Sequence, residues 1–344
     1  MTRYFVRARE MLLSFQFALL CLFLAVSFVQ AAEQPLVRIA HGAFNEKVAV
    51  LWTGVEQGFF RKHGLNVEVI NIRSGPLTMA ALASGDIQVA YTIPGAVLSA
   101  AAGGMDVVFF GGIVNRVDGD LVVERSIRKP EDMRGKTIGV QSIGGGVWSH
   151  TMLSLEYLGL EPTRDKIIIR VVGDPTVQVQ SLATGLIDGA WLTYAFSSMM
   201  QEKGFRVLLD LGKAPIPYQG LALVTQRSFL TKNPQTVDSL LRGVLESVAF
   251  IQNPVHHEAV LKSLTKNLRL TNLREAESGY QLLQWIYSFN IRPNLKGVEK
   301  MHSLLSMTNP KLKGLKPDKV VDEAPAQRME KTSFYRDLVG QARK

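Results

Sequence analysis

An α/β fold built as two similar lobes is what this sequence predicts, on three grounds. Leu82-Ala83-Ser84-Gly85-Asp86-Ile87 returns one hundred residues later as Leu182-Ala183-Thr184-Gly185-Leu186-Ile187. Each copy follows an apolar run and a proline-led segment: run 67–72 with Pro76, and run 166–172 with Pro175. Each copy then leads into a strand-like run, 87–91 and 187–192, so the unit strand, short helix, strand occurs twice. Two such units make a cleft between lobes, which is where small ligands are held. A single larger α/β sheet is the alternative.

The elements follow in order. Residues 36–40 read as a first strand. Over 46–58, Val48, Leu51, Trp52 and Val55 fall at helical spacing, and Phe59 extends the stripe. Gly58 and Gly64 punctuate the exit before the strand 65–72. After the first repeat, Thr92-Ile93-Pro94-Gly95 opens an alanine-rich helix to Gly103, followed by a strand over 107–110. Strand alternating with helix indicates a mostly parallel sheet. A second unit starts at Pro130, with a strand over 137–140, a glycine-rich loop, and a helix to about Leu158 stopped by Gly159. The second repeat spans 166–192, and short strands follow at 207–211 and 221–225, separated by Pro215 and Pro217. Segments 113–123 and 213–223 read as the two crossings between lobes. From Asn233-Pro234, a cap and first-position pair, the chain is helical. Val237, Leu240, Leu241, Val244, Leu245 and Val248 form one apolar face, and a later helix opens at Asn272 with Glu275. The lysine-rich stretch 311–322 reads as solvated surface.

The first thirty-one residues read as a cleaved export signal. Arg3, Arg7 and Arg9 precede an uncharged stretch over 11–29, and Val29-Gln30-Ala31 offers small residues for a peptidase. The alternative is a retained anchor, because the stretch is just long enough to span a bilayer. Cys21 is the one cysteine, so a chain starting at Ala32 has no disulfide, thiol nucleophile or cysteine metal site. The formal net charge of +9 falls to +7 without the leader, which favours anionic small molecules in general terms only. No basic stretch is interleaved with aromatics, which argues against nucleic acid. No apolar segment after the leader is long enough to cross a membrane.

In an α/β lobe, ligands sit at the carboxyl ends of strands, where helix N-termini present free N–H groups. Four loops fit: Gly42-Ala43-Phe44-Asn45, Ser74-Gly75-Pro76-Leu77, Gln141-Ser142-Ile143-Gly144-Gly145-Gly146, and Gly173-Asp174-Pro175-Thr176. Thr92-Ile93 and Thr193-Tyr194 end the two repeats at equivalent positions. Taken singly, such residues are ordinary caps and turns; six loops facing one cleft make a binding site for a molecule of modest size. Gly144, Gly146 and Ser149 only approximate a dinucleotide fingerprint, and no acid ends the next strand. Motifs of hydrolases, zinc proteases and phosphate loops are lacking. His150 reads as structural although it could face the cleft, and Asp118, Asp120 and Asp174 read as turn and cap residues rather than an acid/base pair. No catalysis, cofactor or metal is expected.

Run 58–69, Gly-Phe-Phe-Arg-Lys-His-Gly-Leu-Asn-Val-Glu-Val, resembles a segment of periplasmic substrate-binding proteins of ABC importers. The branch concerned serves nitrate, taurine and aliphatic sulfonates and includes thiamine-precursor relatives. Run 82–87, run 133–140 and Leu158-Gly159-Leu160 match further signatures in order, so the resemblance covers about 37–225 well and the helical tail loosely. It implies a type II periplasmic-binding-protein fold, with two α/β lobes closing on a ligand cleft and a helical C-terminal part. The expected boundaries are 1–31 for the signal peptide, 32–117 plus 219–344 for lobe I, and 118–218 for lobe II. The resemblance implies periplasmic capture of a small organic molecule by a monomer; the helix N-termini and the +7 charge point to an anion such as a sulfonate or carboxylate, whereas Phe44, Trp148, Trp191 and Tyr194 would suit an aromatic body. Delivery would be to a permease with a separate ATPase, which would be the only membrane contact. It supports Phe44, Asn45, Ser74, Gly75, Thr92, Ser142, Gly144, Asp174 and Tyr194 as ligand contacts, with Gln141 opening the glycine-rich loop. Two departures stand out: lobe one has Gln88 where the family often has an acid, whereas lobe two keeps Asp188, and the loop at 143–146 is bare of side chains. Both suggest a ligand unlike the named ones. The cysteine-rich motif of the pyrimidine-synthase relatives is absent. A periplasmic sensor subunit, or an exported enzyme on the same fold, are the competing readings.

Overall fold

In the computed structural model, residues 34–72 and 74–342 are described here; the expected signal peptide lies outside them. Ten strands form two five-stranded sheets of the same plan. The first contains β1 (Leu36–His41), β2 (Asn66–Asn71), β3 (Val89–Thr92), β4 (Val107–Gly112) and, far along the chain, β10 (Ala222–Gln226), in the order β2-β1-β3-β10-β4. The second contains β5 (Asp120–Val123), β6 (Thr137–Val140), β7 (Ile168–Val171), β8 (Gly189–Leu192) and β9 (Arg206–Asp210), in the order β7-β6-β8-β5-β9. In each sheet three parallel strands meet one antiparallel strand, β10 or β5, which is the first strand after the chain crosses from the other sheet. Both inserted strands shift register in mid-course, at Leu223/Val224 and at Leu121/Val122.

The repeat builds what its spacing predicts. Helices Gly75–Ser84 and Pro175–Ala183 each carry proline in the first turn, and the side chains of Ser74 and Asp174 accept from their N-terminal amides. Leu82 and Leu182 are buried on the sheet, and Gly85 and Gly185 turn the chain with positive φ. The equivalence at the strand ends differs by one residue from the sequence reading: Ile93 and Thr193 are the matching N-caps, so Tyr194 occupies the place of Pro94. Residues 120–123, assigned by sequence to a crossing, are β5. Gly119, at φ +77°, turns the chain, and Asp-Leu-Val-Val then inserts fully buried between β8 and β9.

The helical tail backs the first sheet. Helix Pro234–Gln252 presents Val237, Leu240, Leu241, Val244, Leu245, Val248 and Ile251 to a core shared with β1, β3 and β4. Asn233 precedes it without capping it, because its amide donates to the Phe229 carbonyl instead. The lysine-rich stretch is partly anchored, with Leu312 and Val320 buried and Val321 bridging Phe109. A second hydrophobic cluster runs through both sheets by way of Val117, Leu211 and Tyr218 on the crossings.

Candidate functional site

The carboxyl ends of β1, β2 and β3 and those of β6, β7 and β8 carry the loops singled out from sequence, and several of these loops meet. A methyl group built on Gly95, at the start of helix Pro94–Ala102, would lie 3.4 Å from the Gly144 carbonyl of the glycine-rich loop. One on Gly75 would lie 2.8 Å from the Ala96 side chain. Leu305, from tail helix Leu295–Ser306, would touch a methyl at either Gly95 or Gly144 at 3.8 Å, so the tail closes this side of the cleft. Gly144 turns at φ +76°, which fits its lack of a side chain, and Gly145 caps helix Gly146–Tyr157. Here bareness serves backbone approach.

The sequence-predicted residues differ in what their side chains do. Thr92 is nine-tenths buried, and its hydroxyl makes no hydrogen bond among the described residues. Gln141 and Ser142 are exposed, and Phe44 keeps nearly half its surface. Asn45 caps the 3₁₀ turn Glu46–Val48 by accepting from the Lys47 amide at 3.1 Å. Ser74 caps its helix through the Leu77 amide. Asp174 accepts from the amides of Thr176 and Val177, so its carboxylate already occupies the positive end of its helix. The Tyr194 hydroxyl donates to Asp210 at 2.9 Å, and its ring meets Trp285 of the tail edge-on at 6.2 Å. Of these residues, Gly144 meets Gly95 across the two lobes and Tyr194 meets Trp285 of the tail, whereas the side chain of Asp174 stays on its own helix.

Beneath these loops lies a charged floor whose role sequence reasoning missed. The Lys47 ammonium, buried after β1, donates to Asp118 at 2.7 Å on the first crossing. The Lys47 carbonyl accepts from Tyr91 at 3.0 Å and from Tyr287 at 2.8 Å, which fixes its backbone in the first lobe. From the other side, the Trp191 indole of β8 donates to the Asp118 carbonyl at 2.8 Å. His150 stacks on Trp191 at 4.3 Å, donates through Nδ1 to the Gly146 carbonyl at 2.8 Å, and holds Nε2 3.4 Å from Asp118 Oδ1. Burial alone would raise the Asp118 carboxyl, but Lys47 and His150 outweigh it and hold it well below the usual carboxylate range. Burial likewise opposes the Lys47 charge, and Asp118 with Glu46 overcomes it and raises that pKa. Burial, with Asp210 alongside, pushes Asp120 up to about 6, against the hydrogen bond it accepts from Ser197. A lone lysine at the head of an apolar helical stripe was the available signal for Lys47.

Gln88 and Asp188 prove to be structural. The Arg38 amide donates to the Gln88 side chain at 2.9 Å, and the Thr137 amide to the Asp188 side chain at 2.7 Å. Both sit at the strand end away from the cleft, so this departure says nothing about the ligand. Among the described residues no group of side chains could hold a metal ion, and no helix is long and apolar enough to cross a membrane.

Two facing sheets of one plan, with two crossings and a polar cleft floor, define a periplasmic-binding-protein fold. The chain belongs to the NMT1/THI5-like family, whose model matches residues 45–256. It is 26% identical over 260 residues to the taurine-binding periplasmic protein of Escherichia coli (strain K12), covering 74% of this chain and 78% of that one. The fold is shared with the periplasmic aliphatic sulphonate binding protein SsuA from Escherichia coli, at a TM-score of 0.68 and 18% identity over 84% of this chain and 92% of that one. It is shared also with the periplasmic nitrate-binding protein NrtA from Synechocystis PCC 6803, at 0.62 and 16% over 89% and 88%.

Proposed function

We infer that the protein is an extracytoplasmic solute-binding protein that captures a small organic molecule between its lobes and hands it to an ABC importer. Residues 32–117 with 219–344 form one lobe in this reading, and 118–218 form the other. The observation that carries it is the meeting of loops from both sheets at Gly95 and Gly144, over the buried Lys47–Asp118 pair. The relatives, named as binders of taurine, sulphonate and nitrate, support the same class. Thr92, Ser142 and Gln141 offer uncommitted polar groups, and Phe44 and Tyr194 offer rings. The sheet and helix ends also bear on charge. Asp174 neutralises the helix end of the second lobe, so an anionic head group belongs at the uncharged ends near Gly75, Pro94 and Gly146. Residues 1–31 serve as the export signal, the compartment is the periplasm, and the partners are a permease and its ATPase. The protein acts as a monomer, without turnover, cofactor or metal.

Thermal unfolding against sulfonates, nitrate, carboxylates, aromatic acids and pyrimidines tests this. A ligand at a hundred times its Kd adds about 2.7 kcal/mol, a shift of several degrees. The expected result is a saturable shift by one anionic class, lost in the double variant Thr92→Val, Ser142→Ala while that variant's own unfolding temperature stays near the parent's. No shift across the panel overturns the reading.

A further inference from the structure

Asp118 is held from both lobes at once. Its side chain pairs with Lys47, whose carbonyl two tyrosines pin to the first sheet, and its own carbonyl is held by Trp191 of the second. It lies on a crossing between the two, and the next residue, Gly119, accepts through its carbonyl from Leu211 on the other crossing at 2.9 Å. Any change in the angle between the sheets must therefore strain or break a contact at this residue. One contact is incomplete. Asp118 Oδ1 and His150 Nε2 are both buried and lack hydrogen-bond partners, though only 3.4 Å apart. A movement of about half an ångström would bring them to ordinary bonding distance. Nδ1 of His150 already donates to Gly146, so Nε2 is the ring nitrogen left facing the carboxylate. The same bond to Gly146 ties the imidazole to the helix start that follows the glycine-rich loop.

A line of groups thus runs from that loop through His150, Asp118 and Lys47 to the loop after β1, bonded throughout except at the 3.4 Å gap between His150 and Asp118. We infer that Asp118 is the positioning residue of the cleft: by holding Lys47 from one lobe and Trp191 from the other, it sets the resting angle between them. This rests on the cleft being the binding site, but the resting angle can be measured with no ligand present.

With Cys21→Ala, labels at Leu77→Cys and Val177→Cys are the only thiols; both positions are exposed and equivalent in the two lobes. The distance between spin labels there, in ligand-free protein, reads the angle directly. Asp118→Asn and Lys47→Met should each add a population at longer distance, and Lys47→Arg should restore the parent distribution. The pair Lys47→Met, Asp118→Leu removes both charges together and so leaves neither buried alone, which guards against loss of folding. It should fold and still show the longer distance. Parent-like distances in that folded double variant would overturn the proposal. Separately, a panel of sulfonates that fails to shift unfolding while the variants do change the distance would count against the binding reading and leave the hinge role standing.

Discussion

The two lobes share a plan and differ in what backs it and what lines it. Sheet one rests on the tail, where helix Pro234–Gln252 alone contributes ten buried residues. Sheet two packs mainly against its own connecting helices, and one of its clusters consists of Val122, Val179, Leu182, Ile187, Ala190, Leu192 and Met200. The linings differ as well. Where β5 starts with Asp120, paired across to Leu192 and Asp210, β10 starts with Ala222, paired to Thr92 and Gly112. The first lobe is a thick platform with a neutral strand end, and the second is a thin flap with an acidic one. A duplicated plan need not divide labour equally: one copy can carry the stability and the other the adjustable contacts.

Truncations in the two cores should separate platform from flap most strongly. Leu245→Ala, in the fully buried face of the long helix, should cost about 3–5 kcal/mol, whereas Leu182→Ala should cost about 2 kcal/mol because its smaller cluster can relax into the gap. Urea unfolding measures both, and equal costs would break the distinction.

Next in size is the turn between the lobes. Gly119 has φ +77°, and a methyl there would lie 2.5 Å from the Trp191 ring and 2.6 Å from the Leu192 carbonyl. Gly119→Ala should therefore cost about 3 kcal/mol or more, combining left-handed strain with overpacking. Gly185→Ala has similar φ but nothing within 4 Å, and should cost only about 1 kcal/mol. The difference isolates close approach from backbone strain.

The acidic strand end gives a pH signature. Asp120 titrates at about 6 in the folded protein, above its ordinary value of 3.8. Between these values the native state holds a proton that the unfolded chain has released, so stability falls as pH rises, and the cost is complete above about pH 6. On the order of 2 kcal/mol should be lost across the window in the parent and not in Asp120→Asn. Chemical denaturation at stepped pH measures the slope, and an unchanged slope in the variant would place the titration elsewhere.

How far the sequence reaches can be judged at single residues. Ser74, Asp174, Leu82, Leu182 and the two glycines after them were legible because capping, burial and chain reversal are local demands with local signals. The start of β5 was not: four apolar and acidic residues after a glycine read equally well as a crossing, and only pairing with β8 and β9 makes them a strand. Of the cleft, loop positions could be read from strand order, but commitments could not. Whether Asp174 faces a ligand or its own helix depends on a rotamer, and whether Lys47 is solvated or buried depends on Asp118, seventy-one residues away.

Gln88 gives the smallest effect and the sharpest test of symmetry. The Gln88 and Asp188 side chains accept from the amides at the equivalent starts of β1 and β6, and their own amides donate back to the carbonyls of the same residues, Arg38 and Thr137, at 3.1 and 2.7 Å. Gln88→Asp would therefore place the second lobe's residue in the first lobe's matching position. The second lobe balances its carboxylate with Lys136 at 3.7 Å. The first offers Arg38, already engaged with Glu68 on an exposed surface, so the added charge gains little and stays solvated. A stability change within about 0.5 kcal/mol is expected, with ligand affinity altered less than about twofold because the residue lies at the far end of the strands. A larger loss of affinity with stability intact would mean that this end of the sheet communicates with the cleft, and the Gln88 departure would again bear on the ligand.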